Sequence, residues 1–181
     1  MIDEDPWMTR IAVIGNAGGG KSTLCRRLGE RLNLPVYSID LVQWRPGWVY
    51  AGEAVIAEHQ ARWLAGGRWV IDGFGGERLI AERFAAADTI IFVDLPLYVH
   101  YWWAAKRQIR SIVRPGPDIP AGCPMWTETW PLFKLMWWLN REWRPKMIRQ
   151  LFQQRRAKRV IHLRSPQAMR DFLASLPAVS V

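Results

Sequence analysis

The chain is poor in the residues that build stapled or metal-held folds. Its 181 residues include only two cysteines, Cys25 and Cys123. Neither stands at a metal-ligating spacing, and two isolated cysteines read as reduced thiols of a cytoplasmic protein rather than as a disulfide framework. The three histidines, His59, His100 and His162, are scattered and form no metal set. Long apolar runs are missing as well. The densest, near Leu132 to Leu139, is interrupted by Lys134, whereas a membrane span needs ~20 apolar residues. The opening stretch MIDEDPW is acidic and lacks the apolar centre of a signal peptide, so residues 1–9 are expected to form a flexible extension. No internal repeat, low-complexity segment, helix-turn-helix or zinc module stands out.

What is plentiful is positive charge and tryptophan. The net charge is +9 and there are twelve tryptophans. A basic chain of this size suits nucleic acid, an anionic membrane or small phosphorylated ligands. The charge concentrates between Lys106 and Arg170.

Short apolar runs alternate with helical patterns. RIAVIG (10–15), LPVYSID (34–40), RWVIDG (68–73), TIIFVDLP (89–96) and RVIHLRS (159–165) read as strands. Between them lie helices over 21–32, 51–67, 77–87, 97–113, 126–155 and 166–176, with Leu24, Leu28 and Leu32 sharing one face of the first. Such alternation predicts an α/β fold: one doubly wound domain over 1–181, a five-stranded parallel sheet with helices on both faces. The segment 114–124 carries closely spaced glycines and prolines and reads as a basic loop.

The first strand runs into GNAGGGKST. Gly15-x-x-x-x-Gly20-Lys21-Ser22 meets the phosphate-loop pattern in full, with a strand before it and a helix after it. Backbone N–H groups of Gly15, Asn16, Ala17, Gly18, Gly19 and Gly20 are expected to cradle phosphates, helped by the helix N-terminus, with Thr23 completing the loop. Lys21 reaches the β- and γ-phosphates of ATP, and Ser22 places its hydroxyl on Mg²⁺. A second magnesium-side carboxylate is expected at a neighbouring strand end. Asp72 and Asp94 both qualify; Gly73 after Asp72 favours the former, because it permits close backbone approach to a ligand.

These residues carry a family resemblance over about 10–165. The stretch from the phosphate loop to Trp48 resembles the small P-loop kinases related to adenylate kinase. It is most similar to the subgroup known as DNA topology modulation proteins or AAA-family ATPases. That subgroup has an Asp-x-x-x-Trp-x-x-Gly-Trp segment, here Asp40 to Trp48, then a Gly-Cys-Pro element, here 122–124, and an Arg-Pro-Lys element, here 144–146. The resemblance implies a short lid over about 107–128. It also implies arginines on the moving phosphoryl group, for which Arg107, Arg110 and Arg114 are the candidates. Either Arg141 or Arg144, three apart on the next helix, would join them.

Asp40 lies at a strand end, where doubly wound sheets bind ligands, and is placed to orient or deprotonate an acceptor hydroxyl; a turn or capping role is the alternative. Trp44 and Trp48 wall an acceptor pocket or merely pack. The Asp72-Gly73-Phe74 segment is similar to the Asp-Gly-Phe-Pro-Arg segment of adenylate kinases, whose arginine holds the acceptor phosphate. Here the proline is absent and Arg78 lies two positions late. Arg78 and Arg144 are the candidate acceptor-binding arginines. Where adenylate kinases carry a further arginine near the adenine, this chain has Trp103.

The tryptophan-rich helix has apolar residues on nearly every side at its start, including Trp126, Trp130, Phe133 and Trp137. Packing against the preceding helix, a homodimer or membrane-surface contact, and nucleic-acid binding all fit. The basic run RQLFQQRRAKR (149–159) suits the last of these, which the missing reading module disfavours. The expectation is thus a Mg·ATP-dependent phosphotransferase acting on a small acceptor, a nucleotide or nucleoside. The rival is an ATP-binding regulatory protein that contacts DNA and phosphorylates nothing.

Overall fold

A computed structural model of the chain describes residues 8–113, 119–124 and 128–176. Five parallel strands form the central sheet: β1 (Arg10–Gly15), β2 (Val36–Ser38), β5 (Trp69–Asp72), β6 (Thr89–Val93) and β7 (Arg159–Leu163), in the order β2-β5-β1-β6-β7. A separate antiparallel hairpin joins β3 (Trp44–Arg45) to β4 (Val49–Tyr50). The helices are α1 (Lys21–Leu32), α2 (Ile39–Gln43), α3 (Glu53–Leu64), α4 (Glu77–Ala86), α5 (Leu97–Val113), α6 (Thr129–Trp138), α7 (Arg144–Gln154) and α8 (Pro166–Ser175).

The inner strands β1, β5 and β6 are mostly apolar and buried because both faces of the sheet are covered. Side chains alternate across a strand. Ala12 and Ile14 of β1 therefore join Ile71, Ile90 and Phe92 in one core, which helices α3, α4 and α7 cover. Ile11 and Val13 point the other way, with Val70, Ile91 and Val93, into a second core under α1 and α8. Burying each such side chain contributes about 2 kcal/mol. The N-terminal approach to β1 is fixed by Asp88, whose carboxylate accepts bonds from the amides of Met8, Thr9 and Arg10 and from the Thr9 hydroxyl.

Several expected elements differ in extent. The second strand is only three residues long, and the chain turns at once into α2, so Asp40 stands in the first turn of a short helix. The β3–β4 hairpin, read in sequence only as part of a motif, is a structural unit. The long helix expected over 126–155 is helical throughout its described part, 129–154, but changes its winding midway. A π-helical turn, Leu139–Trp143, separates α6 from α7. Pro145 explains it: proline has no N–H to give the turn before it, and widening the helix there accommodates the missing bond. The loop that carries Arg114, and Trp126 beyond it, lie outside the described residues.

Candidate active site

β1 is the central strand; the chain leaves it for β2 on one side and later crosses from β5 to β6 on the other. The crevice beside its carboxyl end is where an open α/β sheet receives a ligand. The phosphate loop lies there, between Gly15 of β1 and Lys21 of α1. Gly20 is the N-cap of α1 and no side chain caps the first turn, which leaves amide donors for an anion. Lys21 Nζ donates to the Asn16 carbonyl at 2.9 Å. Asn16 is buried and braces the loop twice: its Oδ1 accepts from the Ala17 amide at 2.8 Å, and its Nδ2 donates to the Met136 carbonyl of α6 at 2.8 Å.

Helix α5 supports the loop from outside. His100 Nδ1 lies 2.8 Å from the Ala17 carbonyl. Burial lowers the His100 pKa, and the Lys21 charge adds to this against the Ala17 and Leu95 backbone contacts. Gly18 adopts φ +69°, and a Cβ there would lie 2.5 Å from Met136 Cε and 2.8 Å from the His100 carbonyl. The middle glycine is thus demanded by the helices packed on the loop. Trp103 packs nearby on Gly20 and Met169.

Asp72 ends β5, is buried, and has an Oδ1 with no hydrogen-bond partner. Burial pushes its pKa up and the Asp40 charge pushes the same way; Lys21 and the hydroxyls of Ser38 and Ser22 pull it back only in part. An orphaned carboxylate oxygen facing a serine hydroxyl beside a phosphate loop is a donor set that fits Mg²⁺, which takes few protein ligands and completes its shell with water and phosphate. No cluster of three or more His, Cys, Asp or Glu suited to a metal occurs among the described residues, so a dedicated all-protein cage is not what this site offers. The other carboxylate, Asp94, is fully engaged. Arg144 grips it with Nε on Oδ1 and Nη2 on Oδ2 at 2.9 Å, and His162 Nε2 lies 2.7 Å from Oδ2.

Asp72 carries a prediction. A carboxyl whose folded pKa lies above its unfolded value binds more protons in the native state, so stability falls as pH rises from the ordinary carboxylate range through the raised value. The raised pKa therefore costs the ligand-free fold stability at pH 7. Asp72→Asn is therefore expected to raise the ligand-free melting temperature at pH 7 by about 2–4 °C, equivalent to about 1 kcal/mol in a chain this size. The gain disappears below about pH 4, and the extra stabilisation from Mg·ATP is lost. Thermal melts with and without Mg·ATP decide this; a lower melting point with an unchanged ligand response would make Asp72 purely structural.

Asp40 comes close to Asp72 through Gly73. Gly73 has φ +99°, and a Cβ there would sit 2.7 Å from Ile39 Cβ and 3.1 Å from Asp40 Oδ1. The close approach that Gly73 permits is thus to the start of α2. Arg83 of α4 holds this turn from below: it is fully buried, and its Nη2 donates to the Gly73 carbonyl at 2.8 Å. Burial lowers its pKa to about 10, against the attraction of Asp72 and Asp40. Sequence reading missed Arg83, although a signal existed: it falls on the same helical stripe as Leu79, Ile80 and Phe84. His100 was passed over because nothing in its spacing pointed to the loop.

The hairpin brings Trp44, Trp48 and Tyr50 together, with ring centroids 5.8 and 6.1 Å from Trp44. Trp48 has φ +61°, a left-handed conformation rarely adopted by a bulky residue. The hairpin is clasped to segment 119–124. The Gly47 amide donates to the Gly122 carbonyl at 2.8 Å, Trp48 Nε1 to the Pro124 carbonyl at 3.0 Å, and the Cys123 thiol to the Arg45 carbonyl at 3.1 Å. Arg107 and Arg110 are exposed on α5. Arg78 is exposed on α4 and pairs with Glu53, at 2.8 Å, and Glu82. Of the two expected acceptor arginines, one is thus held by surface carboxylates and the other by Asp94.

No family model matches the chain, and no curated protein matches it in sequence. Solved structures do. Shikimate kinase from Acinetobacter baumannii, solved with shikimate, aligns with a TM-score of 0.54 at 16% identity, covering 92% of this chain and 89% of that one. A gluconokinase from Sinorhizobium meliloti gives 0.55 at 14% identity, covering 93% and 89%. Shikimate kinase from Bacteroides thetaiotaomicron gives 0.52 at 13% identity, covering 92% and 94%. The chain therefore has the fold of the small P-loop kinases.

Proposed function

We propose that the chain binds Mg·ATP at the phosphate loop and transfers the γ-phosphoryl group to the hydroxyl of a small acceptor. The observation that carries this reading is the convergence of a complete phosphate loop with two carboxylates, Asp72 and Asp40, at adjoining strand ends. In this reading the amides of 15–20 and the Lys21 ammonium hold the triphosphate. Ser22 and Asp72 would hold Mg²⁺, which supplies charge neutralisation between the β- and γ-phosphates. In this reading Asp94, paired with Arg144 and His162, takes no part in that task. Asp40 accepts the proton of the acceptor hydroxyl as its oxygen bonds to the γ-phosphorus; the bond to the β–γ bridging oxygen breaks, and ADP leaves. Arg107, Arg110 and Arg114 supply positive charge to the phosphoryl group as it moves.

The stretches that carry the resemblance to the DNA topology modulation subgroup support an acceptor site at the hairpin, since Asp40–Trp48 and Gly122–Pro124 meet there. The acceptor is a small hydroxylated molecule, with nucleosides and nucleotides first and sugar acids or cyclic polyols next, as the acceptors of the gluconokinase and shikimate kinase suggest. The test is ADP release from Mg·ATP with single acceptors from those classes and one arm with DNA alone. Acceptor-dependent ADP, with a phosphorylated product, supports the kinase. ADP release stimulated by DNA and by no acceptor would replace it with the regulatory ATPase.

A further inference from the structure

Away from this site, the described surface carries one broad apolar face. On α5, Tyr98, Trp102 and Ile109 are exposed at helical spacing, and on α6 Trp130, Trp137 and Trp138 are about half exposed or more. Between the two helices runs an open groove of about 730 Å³, floored by Tyr101 and Phe133. Contiguous apolar surface on this scale marks a place of contact. The cations on the face are ordered with respect to the rings. Lys106 Nζ lies 4.7 Å from the Trp102 ring centroid, Lys134 Nζ 5.6 Å from that of Trp130, and the Arg141 guanidinium 5.2 Å from that of Trp137. Glu142 beside them is itself paired with Arg141.

We propose that this face docks on an anionic bilayer surface, with the indoles at headgroup level and Lys106, Lys134 and Arg141 on lipid phosphates. Tryptophan partitions to the membrane interface because its ring is apolar and its N–H is polar. Basic side chains beside it add attraction to anionic headgroups. Charge complementarity selects this occupant. A second copy of the chain would bring the same cations against each other. A nucleic-acid strand would need open ring faces for stacking, and the cations already cover one face of Trp102, Trp130 and Trp137. A net charge of +9 favours an anionic partner. Docking leaves the candidate active site accessible, because His100 and Ala104, which pack on the phosphate loop, lie on the opposite side of α5.

The experiment is co-sedimentation of the full chain with vesicles of phosphatidylcholine alone and of phosphatidylcholine mixed equally with phosphatidylglycerol, with tryptophan emission read in parallel. Each cation at an anionic surface is worth about fivefold in partitioning. The mixed vesicles should therefore bind about 100-fold more tightly, with a blue-shifted emission and weaker binding in high salt. Trp130→Glu combined with Trp137→Glu should abolish binding and the shift. Lys106→Glu combined with Lys134→Glu should remove the preference for the anionic lipid, and it serves if the tryptophan variant does not fold. Melting curves and ATP binding check that both variants are intact. No binding to mixed vesicles, or binding that survives both pairs of substitutions, overturns the proposal. So does a doubled sedimentation mass that the tryptophan variant removes, which would assign the face to a homodimer. Retention on single-stranded DNA without retention on vesicles would assign it to nucleic acid.

Discussion

Lys21→Ala is expected to lower ATP turnover by about 100- to 1,000-fold, the cost of removing one well-placed positive donor from a charge-developing reaction. Its effect on stability should be small. In the ligand-free protein the ammonium donates to the Asn16 carbonyl at 2.9 Å, and such a bond contributes about 1 kcal/mol. Asn16 keeps its bonds to Ala17 and Met136 without the lysine, so the loop should hold its shape. The variant should therefore melt within a few degrees of the unaltered chain. ADP release at saturating Mg·ATP, with a melting curve beside it, measures both. Undiminished turnover would remove the phosphate loop from the chemistry altogether.

Asp40→Asn should act at a different step. General-base catalysis contributes about 10²–10⁴-fold, so kcat should fall by that order while the Kd for Mg·ATP stays within about threefold. The amide matches the carboxylate in shape and can keep the start of α2 against Gly73, but it cannot take a proton. A large loss of ATP affinity with kcat intact would identify Asp40 as a helix-start residue that shapes the loop region, the alternative its place in the first turn of α2 allows. The two variants together separate binding of the triphosphate from activation of the acceptor.

The parts of this molecule that were legible in sequence are those governed by local rules. Five short apolar runs became five parallel strands: strands covered on both faces read as near-continuous apolar runs, and their shortness and β-branched content set them apart from helices. The phosphate loop was legible because its chemistry is contiguous in the chain. What sequence could not supply was registration across the sheet. His100 and Ala17 are far apart in the chain and meet only because α5 follows β6, the neighbour of β1. Asp72 and Asp94 both qualified as strand-end carboxylates, with Gly73 favouring Asp72; what sequence could not show is that Arg144 and His162 converge on Asp94. The tryptophan-rich helix was read as one element because apolar spacing cannot register a π turn, although Pro145 marked the place.

In the proposed reading, the clasp between the hairpin and segment 119–124 joins the acceptor side of the site to the stretch that would close over the nucleotide. Parting it would break three hydrogen bonds at about 1 kcal/mol each, so any displacement of segment 119–124 would carry Trp44 and Trp48 with it. Ligand affinities on the two sides are then linked, and linkage is reciprocal: whatever factor the acceptor adds to nucleotide affinity, the nucleotide must return to the acceptor. Such an arrangement disfavours a nucleotide held alone in a finished site, where water would be the available nucleophile. Its signature is thermodynamic, a ternary complex tighter than the two binary affinities multiplied together.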